Sequence, residues 1–315
     1  MDVARCVLLA VAVASACSKS APPNGEAAPA GSAAPAAKPE PPGWTCEQQP
    51  FAAETPIPEA SDAGWLTIDG KLQMLVVGDS GNDGAYGLLD PETGATGEQG
   101  KMPLGGPGDD IEGVSVHGDR IYGLTSAGWM RVWKRVAGGF ELVDGPYPIG
   151  PVTLSKKKKD NDAELAGDGM VCEQKHANCG RNYEGLCLAA HPTNDCLGFA
   201  AAKADGRLYC VVDKDGKLAV DHARAIAITR PGSLADCTFY EDDTLWAGSN
   251  MFDLAHVYRV TGWADPATAK VEMIGPMGVG FPEALAVRGD TFWRLSDTGS
   301  SPSLMTKFRC TPGRR

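Results

Sequence analysis

Asp110-Ile-Glu112-Gly-Val-Ser-Val116, Tyr183-Glu184-Gly-Leu-Cys-Leu-Ala189 and Pro282-Glu283-Ala-Leu-Ala-Val287 are three versions of one phrase. Each sets a glutamate before a small residue and then runs into apolar positions with the alternation of a half-buried β-strand. A Gly-Asp turn and Arg120-Ile-Tyr-Gly-Leu-Thr125 follow the first. Gly289-Asp290 and Thr291-Phe-Trp-Arg-Leu-Ser-Asp297 follow the third. The second leads, across an insertion, to Gly206-Arg-Leu-Tyr-Cys-Val-Val-Asp213, read here as its second strand. Two weaker copies begin at Pro58-Glu59-Ala60 and at Leu234-Ala-Asp236-Cys-Thr-Phe239. Their second strands are Leu72-Gln-Met-Leu-Val-Val-Gly-Asp79 and Thr244-Leu-Trp-Ala-Gly-Ser249.

A strand, a tight turn and an aromatic or β-branched second strand, recurring at about 50 residues, predict the blades of a β-propeller. Five units are visible, and the stretch around Phe140-Glu-Leu-Val143 and Val152-Thr-Leu154 reads as part of a sixth. The expectation is an all-β, five- or six-bladed β-propeller. A β-sandwich, single or paired, is the rival architecture. Long amphipathic helical patterns are absent, and the 39 glycines and 23 prolines suit a chain of many turns.

The first strand of each blade lines a propeller's channel, so acids at its start converge. Glu112, Glu184 and Glu283 share that position, Glu59 reads as a fourth member, and Asp236 lies one residue out of step. Converging carboxylates repel and are held in the uncharged form unless a cation neutralises them. Calcium, which takes six to eight oxygen ligands, suits such a ring. Asn182, Asp79, Asn250 and Asp297 are the candidate helpers. The alternative is purely structural: acids at strand starts that accept backbone amides.

Working outward, the N-terminus sets the compartment. A short head with Arg5 and an apolar run from Cys6 to Ala16 have the layout of a bacterial signal peptide (residues 1–16), too short to span a bilayer. Cys17, after Ala14-Ser-Ala16, reads as the acylated cysteine of a lipoprotein. Plain secretion after Ala16 is the alternative. Residues 17–43, rich in Ala, Pro, Gly and Ser, read as a disordered, semi-rigid tether. Residues 44–315 then form the propeller, with a Cys-rich insertion near 156–196. The expected site is the bacterial cell envelope, lipid-anchored at the outer membrane, or secreted or periplasmic without the lipid.

Apart from Cys6 and Cys17, eight cysteines remain: Cys46, Cys172, Cys179, Cys187, Cys196, Cys210, Cys237 and Cys310. An even count in an exported chain reads as disulfides. Cys172 with Cys179, and Cys46 with Cys310 at the two ends of the globular part, are the pairings the sequence suggests. Zinc at Cys172, His176 and Cys179 is the rival reading, with a non-standard spacing. A net charge of -11 argues against nucleic acid, and Lys156-Lys-Lys-Lys159, followed by Asp160 and Asp162, reads as a solvated loop.

Asp110-Ile-Glu112-Gly-Val, Asn182-Tyr-Glu184-Gly-Leu and Phe281-Pro-Glu283-Ala-Leu resemble the Glu-Gly-aliphatic signatures of the phytase-like esterase and SdiA-regulated propellers. Leu75-Val-Val-Gly-Asp79-Ser-Gly and Leu295-Ser-Asp297-Thr-Gly resemble their strand-end Ser-Asp-x-Gly element. The likeness covers Trp44 to Cys310 loosely and extends to gluconolactonase-like propellers. It implies a central calcium ion held by carboxylates, while the Cys-rich insertion departs from the pattern.

Other chemistries lack their signatures. No G-x-S-x-G elbow occurs, and Gly78-Asp79-Ser80-Gly81 has no matching Asp-x-x-His pair near the C-terminus. His117, His176, His191, His222 and His256 are scattered, and Trp129, Trp133, Trp246 and Trp293 sit in strand-like stretches where packing explains them. The functional expectation is an envelope-anchored propeller that binds a small polar ligand or an envelope protein, with a central calcium ion. The alternative is a calcium-dependent hydrolase of esters or phosphoesters.

Overall fold

The computed structural model describes residues 43–153, 171–240, 243–250, 254–299 and 302–313. The signal peptide, Cys17, the tether up to residue 42 and Lys156–Lys159 lie outside them. The described residues form strands, turns and loops with no helix. In chain order the strands begin with β1 (Trp44–Gln49) and β2 (Glu54–Pro58). The first blade is β3 (Ala60–Ile68), β4 (Lys71–Gly78), β5 (Ala85–Leu89) and β6 (Thr96–Lys101). The second is β7 (Ile111–His117), β8 (Arg120–Thr125), β9 (Trp129–Val136) and β10 (Gly139–Pro148). The third is β11 (Tyr183–Leu188), β12 (Gly198–Ala202), β13 (Arg207–Lys214) and β14 (Lys217–Ala227). The fourth is β15 (Leu234–Phe239), β16 (Leu245–Ser249), β17 (His256–Thr261) and β18 (Lys270–Pro276). The fifth is β19 (Phe281–Arg288), β20 (Thr291–Asp297) and β21 (Pro302–Pro312), completed by β1 as its outermost strand, with β2 also pairing to β21.

The blade number is therefore five. Of the stretch expected to hold part of a sixth blade, Phe140 to Pro148 belong to β10, the outer strand of the second, where Phe140 packs on Tyr86; Val152 makes an isolated bridge to Val171, and Leu154 lies outside the described residues. The third unit also differs from its sequence reading. Its second strand is the short Gly-Phe-Ala-Ala-Ala of β12, and Arg207 to Asp213 belong to β13, the third strand. Three alanines carry little strand signal, and the loop before β12, tied down by Cys196–Cys210, lengthens the strand–turn–strand spacing seen in the other units.

The middle strands bury both faces because each blade lies between two others. Met74 and Val76 of β4 join Ala284, Ala286 and Trp293 of the fifth blade. Leu75 and Val77, on the other face, join Val114, Ile121 and Trp133 of the second. Similar clusters seal second to third (Leu124, Val132, Leu186, Tyr209), third to fourth (Phe199, Leu208, Leu245, Tyr258) and fourth to fifth (Trp246, Val257, Leu285, Phe292). Alternation along a strand thus assigns residues to two neighbouring interfaces, not to core and solvent. The tryptophans Trp133, Trp246 and Trp293 are buried in these seams.

Four disulfides staple the ring. Cys46–Cys310 joins β1 to β21, closing the circle across 264 residues. Cys187–Cys237 links inner strands β11 and β15 of adjacent blades. Cys196–Cys210 ties the loop before β12 to β13, and Cys172–Cys179 closes the loop ahead of β11. The rival zinc reading of Cys172 and Cys179 is thereby replaced.

Candidate functional site

All five inner strands slip register by one residue near their starts. The slips fall between Ala60 and Asp62, Ile111 and Gly113, Tyr183 and Gly185, Leu234 and Asp236, and Pro282 and Ala284. The skipped residue bulges toward the axis: Ser61, Glu112, Glu184, Ala235 or Glu283. The shared position of Glu112, Glu184 and Glu283 is thus a β-bulge at one end of the channel. Glu59 is not their counterpart. It sits two residues before the first bulge, in a left-handed turn (φ 50°), where Asn82 Nδ2 donates to its carboxylate at 2.7 Å.

The next residue along explains the Glu-Gly phrase. There the five strands carry Asp62, Gly113, Gly185, Asp236 and Ala284. Asp62 accepts the amides of Ala63 and Val114, and a backbone bond from Leu186 also reaches it. Asp236 accepts those of Cys237 and Leu285. The two carboxyls meet, so one pair of acids touches the backbone of all five inner strands and closes the axis. Gly113 and Gly185 make the room: a Cβ at Gly113 would lie 2.6 Å from Leu186 N, and one at Gly185 2.8 Å from Asp236 Oδ1. Burial pushes both carboxyls well above the usual range. Asp236 is therefore an axial pin shared with Asp62, not part of the glutamate ring.

Above the pin the glutamates converge. Carboxylate oxygens of Glu112, Glu184 and Glu283 lie within 4.8 Å of one another, and so do those of Asp79, Asp110 and Glu112. Glu112, Glu184, Glu283 and Asp110 are all buried. The second strands add a matching rank at their ends: Asp79, Ser126, Lys203, Asn250 and Asp297. Lys203 is the residue sequence reading missed, hidden by the misplaced β12. Its Nζ donates to Glu184 Oε2 at 2.6 Å and to Glu283 Oε1 at 3.1 Å. Asn182, a candidate helper, accepts the Lys203 amide on its carbonyl.

The two trios therefore differ in charge balance. Burial pulls on the Lys203 ammonium, but Glu184 and Glu283 more than offset it and hold it charged. Burial still lifts Glu283 to about 8 and raises Glu184 despite the lysine. Asp110 is pushed up to about 8 by burial and the neighbouring Asp79. Glu112 goes up by burial and by Asp79, Glu184 and Asp110. Among the described residues, Asp110 Oδ1, Glu112 Oε2, Glu184 Oε1 and Asn182 Oδ1 are buried acceptors with no hydrogen-bond partner. Asp110 Oδ2 takes the hydroxyl of Ser126.

A cleft of about 220 Å³ opens beside Lys203, lined by Asn178, Cys179, Asn182, Ala204 and Gly232. The Cys172–Cys179 loop forms one wall, held by the Asn178 amide donating to Ser126 Oγ at 2.8 Å. Part of the Cys-rich insertion thus shapes the mouth. The loop carrying Cys196 does not, because it follows β11, and residues 156–170 of the insertion lie outside the described residues.

Fold and site define a class: a five-bladed β-propeller whose channel is pinned by two aspartates and opens, at one end, into a carboxylate–lysine cluster. No protein-family model and no curated protein matches the chain. Among solved structures it is similar to Myxococcus xanthus glutaminyl cyclase (15% identity, TM-score 0.46, 86% of this chain and 100% of that one). It is also similar to a luciferin-regenerating enzyme (10%, 0.45, 85% and 95%). A third is a putative 6-phosphogluconolactonase from Bacteroides uniformis (15%, 0.43, 76% and 78%). Similarity at this level transfers no chemistry.

Proposed function

We propose that this is an exported, ligand-binding propeller whose acidic mouth holds a divalent cation, calcium by its donor chemistry, and takes a small polar ligand beside it. The observation that carries the reading is the imbalance between the trios. Glu184 and Glu283 have a lysine, whereas Asp79, Asp110 and Glu112 converge with no cationic side chain among their hydrogen-bond partners in the described residues. The unpaired oxygens of Asp110 and Glu112 supply hard carboxyl donors of the kind calcium prefers, which a bound cation would hold in the ionised form. When bound, such an ion neutralises the trio and polarises a ligand oxygen. Lys203, kept charged by Glu184 and Glu283, offers an ammonium to an anionic or carbonyl oxygen in the adjoining cleft, and Asn178 and Asn182 border it.

Four disulfides fit an oxidising compartment outside the cytoplasm. Anchoring through a lipidated Cys17, at the outer membrane, completes the proposal. Gly43 lies beside Gly313 at the far end of the fifth blade from the acidic mouth, so the described chain enters on the opposite face.

Metal content and melting of the full chain, with and without chelator, test the reading. Bound calcium in the wild type, a chelator-induced fall in Tm of several degrees, and loss of both in Glu112→Gln are expected. A metal-free wild type indifferent to chelator sinks the cation site. Ester or phosphoester hydrolysis is the second reading, favoured by Glu283, whose carboxyl at about 8 exchanges a proton near neutral pH. Release of nitrophenol from its acetate or phosphate ester, lost in Glu283→Gln, would move the protein to that class.

A further inference from the structure

The channel has a second end, and its chemistry is the reverse of the first. Past the Asp62–Asp236 pin the inner strands diverge around a cavity of about 380 Å³. The pin is fully buried, so this cavity is a blind pocket with no passage to the acidic mouth. Its walls include Trp65, Val116, Leu188 and Phe239, all half-buried. Trp65 is fixed in place, its Nε1 donating to Val287 O of the fifth blade at 2.9 Å. Strand ends next to turns are ordinarily polar in a half-exposed sheet, yet here several of them keep large apolar side chains around one hollow.

The exposed His117 and the half-buried Tyr240 also line the pocket, and among its buried polar groups Ser115 has spare capacity. Ser115 Oγ accepts the Leu188 amide at 3.0 Å, which leaves the hydroxyl proton to donate into the cavity. Thr238 adds a second hydroxyl to the lining. The volume lies in the range of small-molecule sites and suits a body on the order of 15–20 non-hydrogen atoms. The ends of four inner strands, β3, β7, β11 and β15, line it above the closed floor of the pin.

We propose that this end of the channel is a second binding site, for a small neutral molecule with an apolar body and one oxygen acceptor that takes the Ser115 proton. The site is independent of the acidic mouth, and it binds by excluding water from Trp65, Val116, Leu188 and Phe239.

The test is titration of the full chain with 6-propionyl-2-(dimethylamino)naphthalene, a neutral apolar fluorophore with a single ketone oxygen. One molecule per chain is expected, with blue-shifted emission and energy transfer from tryptophan. Thr238→Trp and Leu188→Trp fill the hollow from two walls, and each should weaken binding at least about tenfold, as overpacking does. Should either fail to fold, Gly64→Ala replaces it. Its methyl makes only ordinary contacts at 3.5 Å with Val114 and Val116 while narrowing the same wall. Glu112→Gln should bind the probe as the wild type does, which separates this site from the cation site. No binding, several probes per chain, or equal binding by the filled variants overturns the proposal.

Discussion

At the scale of single residues, Lys203 decides how the acidic mouth is divided. It joins Glu184 and Glu283, whereas Asp79, Asp110 and Glu112 have no cationic hydrogen-bond partner among the described residues. Removing a partner from a buried ion pair typically costs about 3–5 kcal/mol, and Lys203→Met should fall in that range by chemical denaturation. The carboxyls add a pH dependence of definite sign. Glu283 stands at about 8 in the fold against the usual 4.5, so the folded state holds a proton that the unfolded chain has released. That contribution is complete below pH 4.5 and is lost as pH rises through about 8. Metal-free wild type should therefore melt lower as pH increases across this window. Lys203→Met, with nothing to offset the ionised pair, should fall further still. Flat melting profiles for both would show the cluster to be uncoupled from folding. Lys203 was not legible beforehand, because its position depends on which strand follows β11, and Ala200-Ala-Ala202 gives weak notice of a strand.

At the scale of elements, the unit is a bulged inner strand followed by its hairpin partner. The bulge turns Glu112, Glu184 and Glu283 toward the axis, and the small residue after each lets the neighbouring blade approach. Gly113→Ala should destabilise the protein by about 1–3 kcal/mol, since its Cβ meets backbone that cannot step aside. Alanine tolerated at Gly113 without change in Tm would mean that the blades do not pack as described. The glutamate position was readable because three copies repeat it. Asp62 was not, because Ser61 replaces the glutamate in its blade and the nearby Glu59 imitates the motif two residues too early.

At the scale of the whole molecule, a propeller must close, and here β1 does so by completing the fifth blade beside β21. The Cys46–Cys310 bond locks that seam, and removing it with paired serines should cost about 2–5 kcal/mol, given the length of chain it encloses. Melting under reducing and non-reducing conditions would report it. An unchanged Tm would assign closure to strand pairing alone. The Asp62–Asp236 pin complements the seam from within, holding all five inner strands while separating an acidic end from an apolar one.

The repeat determined the fold class by itself, because strand alternation, turn residues and period are local properties that five copies reinforce. It also determined that three glutamates share one place, since equivalent positions in a closed ring face the same axis. Blade number, the axial aspartates, the lysine among the glutamates and the apolar far end were decided only by tertiary structure. Each depends on which strand pairs with which, and on the one-residue slip that turns a side chain from wall to axis. Those choices are made by contacts between segments far apart in the chain.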